Sequence, residues 1–259
     1  MGPTTDTADV AAFYDWLSGE YDRMTSFDER FVKERPSIKH LVDTYAIRTA
    51  LDAGTGTGFL ALLLAQLGVS VTAVDVSPSM IEQLSRHAAE RGVAVTALVA
   101  AFKDIPRIVP SKQDAIFSLG NTLAHSESRQ DLSATLSAFQ HVLRPGGLLI
   151  VQLLNYRRIL ATRERVQAAR EVGSTRFVRW YEYVGDRVRF HIRQEPIGSN
   201  APPTTRSLLL RPVTDDELRS ALPEAGFEDI RIYGSIAMDS YDPSMSKDCV
   251  VLARTLAPA

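Results

Sequence analysis

The chain has 259 residues, 45% hydrophobic and 23% charged, with 15 Gly and 13 Pro, a globular composition that excludes collagen-like, disordered and disulfide-scaffold classes. With 29 Lys and Arg against 31 Asp and Glu the net charge is −2, so the whole chain lacks the basic footprint of a nucleic-acid binder. A lone cysteine, Cys249, allows no internal disulfide, and the longest strictly apolar run, Phe59–Ala65, is far short of the ~20 residues that span a bilayer; a cytoplasmic protein without a membrane anchor is expected.

In chain order, Met1–Val10 has no apolar stretch and does not read as a secretory signal. Val10 to Met24 then places Val10, Phe13 and Leu17 at helical spacing. Asp28 to Tyr45 predicts a second helix, kinked or split at Pro36. From Arg48 the element types alternate. Thr49–Ala53, Val69–Val74, Ala94–Ala100, Asp114–Leu119 and Leu148–Leu154 are short runs rich in Val, Ile, Leu and Ala. Helical stretches Phe59–Leu67, Ser79–Arg91 and Ser128–Leu143 lie between them. Short strands apolar on both faces and separated by helices predict a doubly wound α/β fold with a mostly parallel sheet. After Tyr156 the alternation stops. Arg157–Arg170 reads as a charged helix, and Thr175–Val184 with Arg187–Gln194 as a hairpin turning at Gly185-Asp186. Pro196–Thr205 reads as a loop. A strand over Ser207–Leu210, a helix over Asp215–Glu224, and strands Phe227–Tyr233 and Cys249–Arg254 follow. The chain thus divides into a helical lid, 1–46, an α/β core, 47–156 and 206–257, and an inserted hairpin cap, 157–205.

Asp52-Ala53-Gly54-Thr55-Gly56-Thr57-Gly58 ends the first strand and opens a helix. Glycines let a backbone turn tightly and approach a ligand without an intervening Cβ. The dinucleotide fingerprint needs a third glycine where Phe59 stands, and no Gly-Lys-Ser/Thr follows, so neither a nicotinamide site nor a phosphate loop is matched. Asp75, at the tip of the second strand, follows Gly56 by 19 residues, the distance at which an acid meets ribose hydroxyls. Its other reading, as the cap of the next helix, is better served by Ser77-Pro78.

These residues resemble class I S-adenosylmethionine-dependent methyltransferases over Thr49–Leu154 and again over Thr214–Arg254. The likeness includes Leu143-Arg144-Pro145-Gly146-Gly147 and Ala225-Gly226-Phe227. It implies a seven-stranded Rossmann-like sheet and S-adenosylmethionine as methyl donor. By that resemblance Gly54, Gly56 and Asp75 hold the donor, with Asp52, Thr55, Gly58 and Val76 around them. Met80 is a candidate adenine wall, and Leu119 another donor contact. The family's acid after the third strand is replaced by Ala101, beside Phe102; this ring reads either as an adenine face or as core.

Leu119-Gly120-Asn121-Thr122-Leu123-Ala124-His125 and Asn155-Tyr156 resemble the glycine and sarcosine N-methyltransferase branch, in which the first-motif Asn contacts substrate; Asn121 inherits that candidacy. The branch's carboxylate-binding arginine is replaced by Leu154. His125 reads as a base or polar wall near the accepting atom, or as an ordinary loop histidine. Tyr14 and Tyr21 share one helical face, as a closing lid or as a packing stripe. Between Arg157 and Arg193 stand 10 arginines, no lysine and four acids. Such a run is a solvated face, or Arg176, Arg179, Arg187 or Arg193 meets an anionic substrate or a partner subunit, with Trp180, Tyr181, Tyr183 and Phe190 as aromatic walls; Arg179 and Tyr181 are the substrate-binding candidates. The function expected is methyl transfer to nitrogen or oxygen of a small molecule by in-line displacement, without metal, nucleic acid or membrane. The alternatives are a non-methylating user of the sulfonium, such as an intramolecular cyclase, a binding module on the same fold, and, further off, an NAD-dependent oxidoreductase.

Overall fold

A computed structural model describes residues 6–109, 111–165 and 168–257; residues 1–5 of the expected lid and 166–167 of the expected helix Arg157–Arg170 lie outside the described residues. Two helices lead: α1 (Thr7–Thr25) and α2 (Phe27–Thr44). Asp6 and Asp9 form a capping box at the start of α1, and Ser26, in the left-handed region at φ 57°, ends it. Pro36 does not split α2. It is exposed, as is Val32 one turn earlier, so the carbonyl that loses its donor faces water.

The alternating stretch forms β1 (Thr49–Ala53), α3 (Phe59–Gln66), β2 (Ser70–Asp75), α4 (Pro78–Arg91), β3 (Thr96–Val99), α5 (Ile105–Ile108), β4 (Gln113–Ser118), α6 (Arg129–Val142) and β5 (Leu143–Leu154). After the insertion come α8 (Asp215–Glu224), β10 (Phe227–Tyr233) and β11 (Asp248–Thr255). The seven core strands run in the order β10-β11-β5-β4-β1-β2-β3, with β11 antiparallel to both neighbours and the other pairings parallel. This is the doubly wound sheet expected from the alternation. Alternate strand residues feed opposite faces. Leu51, Ile116, Leu149 and Val151 pack under α6, whereas Ala50, Phe117, Leu148 and Ile150 pack under α3. Both sets are buried. No helix among the described residues is long and apolar enough to cross a membrane.

The insertion is more than a hairpin. It comprises α7 (Tyr156–Thr162) and a second sheet of four antiparallel strands, β6 (Ala168–Val172), β7 (Thr175–Val184), β8 (Arg187–Pro196) and β9 (Thr204–Leu210). The helix expected over Arg157–Arg170 therefore stops at Thr162, and its last residues pair with β7 across Gly173-Ser174. Strand pairing overrides the weak local helical preference there. Ser207–Leu210, expected with the core, pairs with β8, so the chain returns to the core only after Leu210.

Because β2 and β4 flank β1, the chain reverses its winding direction beside β1. The loops at the carboxyl ends of β1 and β4 diverge there and open a crevice.

Candidate active site

Two cavities occupy that crevice. The first, about 140 Å³, is lined by Tyr14, Tyr21, Gly54, Gly56, Asp75, Val76, Ala101, Phe102, Leu119 and His125, together with Lys103, Thr122, Asp131 and Thr135. The second, about 360 Å³, lies between α1, the end of β5 and the second sheet; Asn121, Leu154, Arg179 and Tyr181 line it. Tyr14, Tyr21, Gly120 and His125 face both spaces. They form a common wall.

The glycine loop is held from several sides. The Gly54 and Thr55 amides donate to the Val74 carbonyl at 2.8 and 3.1 Å, tying the loop to β2. The Gly56 amide donates to Asp75 Oδ2 at 2.8 Å and the Ser77 amide to Asp75 Oδ1 at 3.0 Å. The helix cap is Ser77, whose Oγ accepts from the Met80 amide at 3.1 Å, so Asp75 lines the cavity without being needed as the cap of α4. Burial pushes the Asp75 carboxyl up, against the lowering effect of those amides.

Asp52, Thr55, Gly58 and Met80 stand behind the cavity rather than on it. Met80 is completely buried, where the α4 stripe faces the core; only its neighbour Val76 reaches the space. At Gly58, φ is +93° and an added Cβ would meet Leu84 Cγ at 2.6 Å, which is a packing demand. Asp52 accepts from Thr55 Oγ1 at 2.6 Å. Burial, opposed by that hydroxyl and reinforced by Asp75, pushes the Asp52 carboxyl up to about 7. Unfolded, it titrates near 4. The folded chain then holds an extra proton between these values, and the associated stability is full below ~pH 4 and lost as pH rises through ~7. Asp52→Asn keeps an acceptor for Thr55 and removes the charge. It is expected to raise Tm at about pH 8 and to do so much less at about pH 5; equal shifts at both pH values would contradict the assignment.

α1 is fastened over the loop by its own acids. Asp15 Oδ1 accepts from Ser77 Oγ at 2.6 Å and the Ser79 amide at 3.2 Å. Asp22 accepts from Thr57 Oγ1 at 2.5 Å and meets His87 Nε2 at 3.1 Å. These contacts carry Tyr14 and Tyr21 onto the cavity wall, their ring centroids 6.3 Å apart. Burial pushes both phenols up, Tyr14 well above its ordinary value.

His125 Nε2 lies 3.0 Å from the Tyr14 hydroxyl, while Nδ1 is buried without a partner. Burial pushes the imidazole down to about 4, so it is neutral near pH 7. Asn121 sits at φ 72°, an uncommon conformation for a residue with a side chain. Its Nδ2 donates to the Tyr156 hydroxyl at 2.9 Å and its Oδ1 accepts from the Leu154 amide at 3.2 Å. These bonds lock the loop after β4 against the end of β5. Phe102 satisfies both of its readings, since it lines the cavity and packs on Phe139 at 5.4 Å between centroids.

Sequence reasoning missed Thr122, which follows Asn121 in the loop after β4, lines the first cavity and bonds Ser118 Oγ at 2.6 Å. It also missed Asp248 and Ile192 of the second cavity, which Trp180 and Phe190, expected as aromatic walls, line as well. For Thr122 the signal was its place in the loop after β4; for Asp248 no local pattern announces it.

Residues 50–147 match the model of a family described as a methyltransferase domain. The chain is 28% identical over 218 residues to a glycine/sarcosine N-methyltransferase of Aphanothece halophytica, covering 83% of this chain and 79% of that one. It is 36% identical over 105 residues to a ubiquinone biosynthesis O-methyltransferase of Xylella fastidiosa (strain 9a5c), covering 40% and 41%. Among solved structures, an S-adenosylmethionine-dependent methyltransferase from Clostridium acetobutylicum ATCC 824 superposes with a TM-score of 0.80 at 15% identity, over 94% of this chain and 99% of that one.

Proposed function

Since this chain is an S-adenosylmethionine-dependent methyltransferase of class I, we propose that the first cavity takes the donor and the second a small-molecule acceptor, methylated on nitrogen or oxygen. The observation that carries this reading is the wall common to both cavities. A donor lodged among Gly54, Gly56 and Asp75 and an acceptor lodged among Asn121, Tyr181 and Leu154 meet only at Tyr14, Tyr21, Gly120 and His125.

The residues suit the donor. An added Cβ on Gly54 would lie 3.0 Å from Thr122 Cβ and 3.5 Å from Phe102 Cζ, so the glycine keeps the narrow part of the cavity open. Asp75 offers its carboxylate to a ribose diol, and Phe102 and Val76 offer apolar faces to a purine. When bound, S-adenosylmethionine supplies an electrophilic methyl group on a sulfonium.

The chain's own contribution is alignment and exclusion of water. Alignment of two bound reactants supplies roughly 7–11 kcal/mol in favourable cases. α1 closes the space with Tyr14 and Tyr21. Asn121 holds the loop after β4 against β5. His125, neutral and bonded through Nε2 to the Tyr14 hydroxyl, gives the wall common to both cavities a fixed polar edge beside the accepting group.

Free glycine is expected to be a poor acceptor. Leu154 presents an apolar wall beside Phe13, Leu17, Phe190 and Ile192, and glycine has no apolar body to bury against it. The test is incubation with labelled donor and an acceptor panel, with product analysis. S-adenosylhomocysteine release that requires an acceptor supports methyl transfer. Methylthioadenosine would instead mark intramolecular cyclisation, and efficient glycine turnover would refute the expectation drawn from the apolar walls.

A further inference from the structure

Building on that reading of the second cavity, we propose that its acceptor is an organic carboxylate with an apolar body, gripped through its carboxylate by Arg179. Arg179 lies on β7 opposite Ala168 of β6 and Ile192 of β8. It therefore shares the inner face of the second sheet with Phe177 and Tyr181, turned toward α1. Among the described residues it is the one Arg or Lys lining the cavity, whose walls are otherwise mainly aromatic and aliphatic: Phe13, Leu17, Leu154, Tyr181, Phe190 and Ile192 among them.

The other arginines of the hairpin are already occupied. Arg176 lies 3.5 Å from Glu195 and Arg193 3.1 Å from the same residue. Arg189 meets Glu182 at 4.0 Å, and Arg187 donates to the Glu127 carbonyl at 2.6 Å. Among the described residues the Arg179 guanidinium has no carboxylate within ion-pair distance and no hydrogen-bond partner. Asp248, among the described residues the one carboxylate on the cavity wall, stands on β11 beside Leu154 of β5 and makes no ion pair with Arg179.

A half-buried guanidinium against an apolar wall is unfavourable until it meets an anion. Its planar fork suits a carboxylate, which accepts two parallel N–H bonds. Apolar walls alone would admit neutral and charged bodies alike; the unpaired cation rejects the neutral ones by leaving its own hydrogen bonds unmade. The hairpin arginines thus divide into an outer set with partners and one inward residue that sets substrate charge.

The test uses the full chain saturated with S-adenosylhomocysteine and two probes of the same skeleton, 3-phenylpropionate and 3-phenylpropionamide, titrated by calorimetry. Wild type is expected to bind the carboxylate about tenfold or more tightly than the amide, as a hydrogen bond to a charged group implies. Arg179→Met should abolish that preference and Arg179→Lys keep part of it, both with wild-type affinity for S-adenosylhomocysteine. Equal affinity for the two probes, no binding of the carboxylate, or a preference that survives in Arg179→Met would overturn the proposal. Failure of wild type to bind S-adenosylhomocysteine would instead strike the donor-site reading beneath it.

Discussion

Gly54→Val is expected to leave a folded chain that no longer binds S-adenosylmethionine. Two effects add. Gly54 has φ of +79°, a region that excludes β-branched residues at a strain of about 1–3 kcal/mol. The new Cβ would also crowd the Thr122 side chain and reach Phe102, at 3.5 Å from Cζ, filling the gap between the loops after β1 and β4. Gly56 is the useful contrast. Its φ is +56°, but an added Cβ would meet only the Tyr21 ring, at 3.7 Å, an ordinary contact. Gly56→Ala should therefore weaken donor binding far less than Gly54→Val. Calorimetry showing undiminished affinity in folded Gly54→Val would remove the glycine loop from the donor site.

Asp75→Ala is expected to weaken donor binding by about 1.5–3 kcal/mol, roughly 10- to 150-fold, the range for hydrogen bonds to a charged group. The carboxylate also receives the Gly56 and Ser77 amides, so its removal loosens the loop as well. Asp75→Asn separates these roles, since the amide keeps one acceptor for the loop and loses the charge. The pH dependence has a definite sign. Burial raises the Asp75 pKa, so acid protonates it earlier than an ordinary aspartate. Wild-type donor affinity should fall as pH drops into that raised range, and the fall should be absent in Asp75→Asn. An unchanged dissociation constant in Asp75→Ala would leave Asp75 as a brace for the loop alone.

What could be read locally was also what the backbone demands locally. The strand–helix alternation, the glycine turn after β1 and the acid ending β2 are each short patterns whose meaning depends on a few neighbouring residues. They predicted the parallel sheet and put Gly54, Gly56 and Asp75 on one cavity, where they lie. Ser77 as the cap of α4 was legible for the same reason. Met80 was not, because helical phase alone did not say whether that face of α4 meets the core or the crevice; its complete burial answers that.

The insertion shows the limit most clearly. Residues 163–172 hold charged and small residues with no period of their own, and Gly173 only becomes a turn once β7 is present to pair with. Strand pairing is a long-range choice, so the four-stranded sheet and the transfer of Ser207–Leu210 into it escaped a local reading.

By itself, then, the sequence determined the core fold, the glycine loop and its acid, because those follow from periodicity and backbone conformation along the chain. Only the tertiary structure decided which arginine of a run of 10 faces a cavity, that Tyr14 reaches His125, and that Asn121 braces the end of β5. Each depends on elements remote in sequence, 111 residues apart for Tyr14 and His125, and a side chain's partners across such a gap are fixed by packing rather than by its neighbours in the chain.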